Sequence, residues 1–268
     1  MKPAKIIVLD TETTGIDVEK DHVVEIAIKF GLEPGADATV WRVKPPVIMR
    51  PEIIEIHKIT NEELAQCPTY GEIADDVSEA IENAEVLVGY NPDFDVAMLN
   101  REAHIAGRPI RWPKTIICAK RLWDINEPPP PRHLIAAFKH FVDAEGYTGA
   151  HGALADINAT AQVVQAQLQK FSLEGRDWSE LDPERATWVG PSAHLKWRDE
   201  TKDCIMVHFG KYNGRDIVEM DDWYTNMITQ KDFPVHLKEI CNRLKLIRKQ
   251  RIPMPSKAIA LWAKEHFS

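Results

Sequence analysis

Ile6-Ile7-Val8-Leu9 is an unbroken apolar run that stops at Asp10, the pattern of a central strand buried on both faces. Val23 to Phe30 reads as a second strand and Thr39 to Val43 as a third, with connections short enough for antiparallel neighbours. Thr60 opens a helix as its N-cap, and Glu63 three residues on completes a capping box. Ile73, Val77, Ala80 and Ile81, at spacings of three and four, predict a longer helix. Ala84 to Val88 is a fourth strand, Asp95 to Ala106 a helix and Thr115 to Cys118 a fifth strand followed by a short helical stretch. The run Pro128 to Pro131 must be extended, since proline cannot donate a helical hydrogen bond. Helices over His133–Val142 and Ala153–Phe171 complete an α/β fold, a mixed sheet with helices on its faces.

From residue 173 to 194 the periodicity is lost, with Gly175, Pro183, Gly190 and Pro191 interrupting it, and this stretch is expected to be a linker. It divides a domain over 1–172 from a small α+β unit over 195–268. In that unit Cys204–Phe209 and Arg215–Met220 read as two strands, joined by the Asn213-Gly214 pair that favours a hairpin turn. Two helices follow, the second from Pro234 to Lys249.

A chain of 268 residues, 44% hydrophobic and 28% charged, can bury one good core and carry a smaller second unit. The net charge of −8 excludes a general coat of positive potential, so a polyanion would be held by a local basic patch or through bound metal. Cys67, Cys118, Cys204 and Cys241 have neither zinc-site spacing nor the density of a disulfide scaffold, and buried reduced thiols are expected. The N-terminal stretch lacks the form of a signal peptide, and no apolar run approaches the ~18 residues of a membrane span. A cytoplasmic location without membrane contact is the expectation.

The candidate chemistry sits at the ends of these elements. In Asp10-Thr11-Glu12-Thr13-Thr14-Gly15 the two acids are two residues apart, so both aim at one volume while Thr11 points away. Such a pair repels itself unless a cation intervenes, and hard oxygen donors select Mg²⁺ or Mn²⁺. Many strands end in acidic turns, so this pair alone does not decide the matter. Asn91-Pro92-Asp93-Phe94-Asp95 follows the fourth strand, with Asp93 the expected helix cap and Asp95 free to project towards the sheet's end. His151 lies in the loop Gly149–Gly152, where an imidazole that titrates near neutrality can take a proton from water. Asp156 lies on a mostly apolar helix, where it needs a metal ion or a basic partner.

Together DTETTG, GYNPDFD and HGALAD resemble the DEDDh 3′–5′ exonuclease family, over about residues 5–170, and Ile56 to Thr60 resembles the family's stretch between the first two motifs. The resemblance implies an RNase H-like mixed five-stranded sheet flanked by helices. It also implies metal-dependent hydrolysis from a 3′ end that releases 5′-mononucleotides. It assigns two Mg²⁺ (or Mn²⁺) ions to Asp10, Glu12, Asp95 and Asp156, gives His151 the role of general base, and places Thr13, His57, Asn91 and Phe94 near the terminal nucleotide. Tyr90 stands where the family often has histidine, and Lys58 where it often has glycine.

Phe209 to Arg215, with Trp223-Tyr224, resembles the small C-terminal module of exodeoxyribonuclease X-like proteins. Its aromatic residues either stack bases beside Lys211 and Arg215 or form the module's own core. The basic stretch that includes Lys245, Arg248 and Lys249 is either a solvated helix face or a phosphate grip. The expected substrate is DNA with a free 3′ end, single-stranded and favoured over RNA, with a polymerase or repair partner. The alternatives are an exoribonuclease on short RNA and a non-catalytic nucleic-acid-binding or polymerase-associated subunit.

Overall fold

Strand β1 (Ile6–Thr13) lies at the centre of a five-stranded sheet whose other members are β2 (Val23–Lys29), β3 (Ala38–Arg42), β4 (Val86–Gly89) and β5 (Thr115–Cys118). The order is β3-β2-β1-β4-β5, antiparallel among the first three and parallel from β1 through β4 to β5. This computed structural model describes residues 5–127, 133–190, 194–231, 233 and 235–267. The polyproline run therefore lies outside the described residues. Two compact units are present, 1–182 and 183–268.

Helices α1 (Pro51–His57), α2 (Asn61–Leu64), α3 (Tyr70–Glu82) and α4 (Pro92–Ile105) precede or follow β4, and α5 (Ala119–Asn126), α6 (Leu134–Phe141) and α7 (Ala153–Lys170) follow β5. Period-two alternation along β1 sorts the core into two layers. Ile7 and Leu9 pack with Val77 and Ile81 of α3 and Met98 and Leu99 of α4. Val8 packs on the opposite face with Ile157, Val163 and Val164 of α7. Continued past the core, the same alternation sends Asp10 and Glu12 to the α7 face and Thr11 to the α4 face. This is the mixed sheet flanked by helices expected from the pattern.

Helix α1 was not legible in the hydrophobic pattern because four of its seven residues are exposed and only His57 is buried. It ends at Lys58, whose backbone is left-handed (φ 63°, ψ 8°) and donates to the carbonyl of Ile54. That is a C-cap geometry in which a Cβ is strained and glycine is not. Lys58→Gly is expected to stabilise the protein by roughly 0.5–1 kcal/mol. A denaturation midpoint that stays level or falls would count against it.

In the second unit β6 (Leu195–Trp197) pairs antiparallel with β7 (Ile205–Val207). Three helices follow among the described residues, α8 (Asp222–Gln230), α9 (Val235–Lys249) and α10 (Pro255–Phe267), where two were expected. The expected strand Arg215–Met220 is instead a 3-10 turn over Ile217–Glu219, because Asp216 and Glu219 form a capping box around it. Only a single bridge, Met206 to Asp216, aligns it with β7. Asn213 (φ −51°, ψ 128°) and Gly214 (φ 78°) form a type II turn closed by Arg215 N–H to the Tyr212 carbonyl, not the hairpin turn the pair suggested. The expected linker is also built into the units. Leu173 and Leu181 are buried in the first core and Val189 in the second.

Apolar residues of α9, among them Leu237, Ile240, Leu244 and Ile247, fill the second core. Arg248 on the same helix donates to Asp222 Oδ1 at 2.9 Å, to the Val218 carbonyl at 3.0 Å and to the Met220 carbonyl. It therefore clamps α9 to the turn before α8. Arg248→Ala should destabilise this unit by about 1–3 kcal/mol, since carbonyls and a charge lose their partner together. Amide exchange in α8 and α9 as slow as in the unaltered protein would refute that. Among the described residues no helix is long and apolar enough to cross a membrane.

Candidate metal centre and active site

Asp10 and Glu12 leave β1 on the α7 face, and Asp156 meets them from the first turns of α7. One carboxylate oxygen from each lies within 4.8 Å of the other two. The strand places its acids two residues apart, the helix is held by Val8–Ile157 packing beneath, and the three charges converge where the apolar core stops.

Burial first, then the charges of Asp95, Asp156, Glu12 and Glu25, pushes the Asp10 carboxyl well above the usual carboxylate range. Glu12 is pushed up to about 8, again by burial first and then by Asp156, Glu25 and Asp95. Asp156 is also raised by burial, against the lowering effect of a hydrogen bond from Tyr147 and of nearby His151. Carboxylates crowded in this way are stable as anions only with a cation among them. A purely oxygen donor set of this kind fits Mg²⁺ or Mn²⁺.

Asp95 comes from α4 on the other face of the sheet. Its Oδ1 accepts from the Thr11 backbone N–H at 2.9 Å and from the Thr11 hydroxyl at 2.6 Å. Thr11 does point away from Asp10 and Glu12, but towards Asp95. The structure therefore gathers three of the four expected ligands directly and sets Asp95 beside them, close enough for its charge to act on Asp10 and Glu12. Asp95 itself is raised to about 6 by burial, which the Thr11 hydrogen bonds oppose. Asp93 is not the cap of α4. Asn91 is, in left-handed conformation (φ 69°), with Pro92 at the first helical position. Proline's fixed φ suits that position, so the helix starts three residues earlier than expected.

His151 is exposed, also left-handed (φ 65°), and sits two residues before α7 in a loop with Gly149 at φ 80°. Its charge and backbone both act on Asp156. Of the residues expected near a terminal nucleotide, His57 is buried. Its Nδ1 accepts from Ile59 N–H at 3.1 Å, and it lies near Thr13 and Glu25. Burial lowers its pKa. The Thr13 hydroxyl donates to the Gly15 carbonyl at 2.6 Å, Asn91 is exposed at its cap, and Phe94 packs part-buried on the α4 core.

Two residues of this centre escaped the sequence reading. Glu25 of β2 stands directly opposite Glu12 in the antiparallel register. It is buried, with Oε1 accepting from Ala153 N–H at the start of α7 (3.2 Å) and Oε2 from Arg42 Nε (2.9 Å). A helix N-terminus and an arginine offset what would otherwise be an unfavourable pair of facing acids. A lone glutamate inside Val-Val-Glu-Ile-Ala-Ile was the available signal. The other is Tyr147, whose hydroxyl donates to Asp156 Oδ1 at 2.7 Å, and no spacing rule could have found it.

The family described as Exonuclease (RNase_T) matches residues 7–164, and the chain belongs to it. The DNA polymerase III subunit epsilon of Escherichia coli (strain K12) is 30% identical over 192 residues, 63% of this chain and 75% of that protein. The subunit epsilon of Treponema pallidum (strain Nichols) is 36% identical over 94 residues, covering 35% of this chain and 43% of its own length. The 3′-5′ exonuclease DinG of Staphylococcus epidermidis is 26% identical over 63% of this chain and 18% of its own. In fold the chain is similar to Exonuclease X, solved in complex with 5′ overhanging duplex DNA. That match has a TM-score of 0.50 and 20% identity, over 66% of this chain and 98% of the other. The family match ends at residue 164, so the second unit rests on its own residues.

Proposed function

We propose that this chain is a metal-dependent 3′–5′ exodeoxyribonuclease that removes 5′-mononucleotides from the 3′ end of DNA, with single strands preferred. The observation that carries the reading is the convergence of Asp10, Glu12 and Asp156 within 4.8 Å at the end of the sheet, all with raised carboxyl pKa values. Two Mg²⁺ or Mn²⁺ ions held there, with Asp95, would supply the Lewis acidity that phosphodiester hydrolysis needs. The exposed imidazole of His151 accepts the attacking water's proton at a ring nitrogen and passes it to solvent. Thr13, His57, Asn91 and Phe94 surround the terminal nucleotide, where a part-buried ring such as Phe94 can take a base on its open face.

The second unit is the proposed grip on the polyanion. Residues 1–182 hold 18 Lys and Arg against 30 Asp and Glu, whereas residues 183–268 hold 15 against 11, so the positive charge is concentrated in the smaller unit. Within it the roles divide. Arg248 is committed to the fold, Lys245 donates to the Thr229 hydroxyl at 2.8 Å, and Lys249, Arg251 and Lys257 are exposed. Of the aromatic residues, Tyr212 and Tyr224 are buried in the core and Trp223 is 69% exposed, so it is the ring available for stacking. Reversing Lys249, Arg251 and Lys257 together is expected to weaken DNA binding and to flatten its dependence on salt by about two to three counterions. An unchanged log–log salt slope would remove this face from the interface.

The deciding assay supplies Mg²⁺ or EDTA with DNA and RNA labelled at either end. Stepwise loss of mononucleotides from the 3′ end of DNA, abolished by EDTA, is expected. Faster loss from RNA would turn the reading to an exoribonuclease, and binding without cleavage to a non-catalytic subunit. The name of the Escherichia coli relative makes a polymerase the partner class to test by co-purification.

A further inference from the structure

We infer that Tyr147 is a positioning residue of the metal centre, fixing Asp156 and the His151 loop as one piece so that Asp156 presents Oδ2 to the ion. The inference rests on the reading of Asp10, Glu12 and Asp156 as metal ligands. Tyr147 lies in the loop between α6 and α7, nine residues before Asp156 and four before His151. Its ring is part-buried against Phe138 of α6, with centroids 5.0 Å apart. Its hydroxyl donates to Asp156 Oδ1 at 2.7 Å. The phenol is also near enough to Asp10 and Glu12 to feel their charges, which together with burial keep it a neutral donor.

The geometry explains why the loop needs such a tie. Gly146 (φ 88°), Gly149 (φ 80°) and His151 (φ 65°) all take left-handed backbone within six residues. Gly146 N–H donates to the Asp143 carbonyl, the first turn of α7 closes the far end, and the His151 backbone acts on Asp156 from within the loop. A ring packed on α6 and a hydroxyl bound to a residue of α7 pin the middle. A carboxylate has two oxygens. With Oδ1 held by the tyrosine, the rotation that would turn Asp156 away from Asp10 and Glu12 is blocked. Partners that hold a ligand in this way typically account for 10–100-fold in metal affinity.

Tyr147→Phe keeps the ring on Phe138 and deletes only the hydroxyl. Mn²⁺ binding to the full-length protein, read by electron paramagnetic resonance, is expected to weaken about 10-fold in this variant. The metal-free melting temperature should stay within about 2 °C. Nuclease activity should fall at limiting Mn²⁺ and recover at saturating Mn²⁺, a rescue that a merely structural defect would not show. Asp156→Asn serves as the reference for a centre that has lost its ligand. Mn²⁺ affinity in Tyr147→Phe within twofold of the unaltered protein, or tighter, overturns the inference alone. Absence of Mn²⁺ binding by the unaltered protein overturns the metal-centre reading, and this inference with it.

Discussion

Asp10→Asn is expected to lower Mg²⁺-dependent turnover by about 10³-fold or more, while DNA affinity measured with EDTA changes by less than a few fold. The difference follows from what the carboxylate does. On the proposed reading it would help hold the metal charge that offsets the negative charge building on the scissile phosphate, so its loss falls on the transition state and little on ground-state binding. The same substitution should leave the metal-free protein at least as stable as before. Asp10 is surrounded by Asp95, Asp156, Glu12 and Glu25, and its neutralisation relieves repulsion in a buried site. Lost activity with retained or raised stability is a combination that a misfolded variant cannot give. His151→Ala belongs to the same test, with an expected fall of about 10²–10⁴-fold that leaves Mn²⁺ binding intact, since the role proposed for the imidazole is to move a proton and not to hold an ion. Near-normal turnover of Asp10→Asn would dismantle the ligand assignment, and near-normal turnover of His151→Ala would remove it as the base.

The centre of the sheet was legible because its strands are almost uniformly apolar there. All seven residues of β2 are buried, and the apolar run of β1 ends within one residue of its first ligand. The three acids whose oxygens converge within 4.8 Å were also legible, because period two in a strand and the start of an amphipathic helix are local rules. What those rules do not carry is which face of the sheet each helix covers. Asp95 therefore read as the equal of Asp156, although it arrives from the opposite face and is bound by Thr11. Glu25 and Tyr147 depend on contacts 128 and nine residues along the chain, to Ala153 and Asp156, that exist only once α7 has docked. In the second unit short-range signals competed. Asn213-Gly214 suggested a hairpin, but the Asp216–Glu219 capping box turned the returning chain into a 3-10 turn before a strand could form.

The stability of the metal-free protein should fall as pH rises from about 5 to 8.5, and the stabilisation given by Mg²⁺ should grow over the same interval. The sign follows from the raised carboxyls. Glu12 titrates near 8 and Asp10 well above the ordinary range in the folded protein, whereas both titrate near 4 in an unfolded chain. Between those limits the folded state binds more protons than the unfolded one, so stability present at the acid end is lost as pH rises through the folded values. For a domain of this size a loss on the order of 2–4 kcal/mol would lower the melting temperature by roughly 5–15 °C. An ion that takes the protons' place reverses the loss, because binding to the folded state alone adds about 2.7 kcal/mol at a hundred times its dissociation constant. Glu12→Gln should separate the two effects. It is expected to melt higher than the unaltered protein at pH 8 without metal, to depend less on pH, and to gain little from Mg²⁺. Melting curves at intervals between pH 5 and 8.5, with Mg²⁺ or EDTA, test this directly. A flat metal-free profile, or a Mg²⁺ increment as large at pH 5 as at pH 8, would mean that the three carboxylates do not compete with the ion for protons and do not form its site.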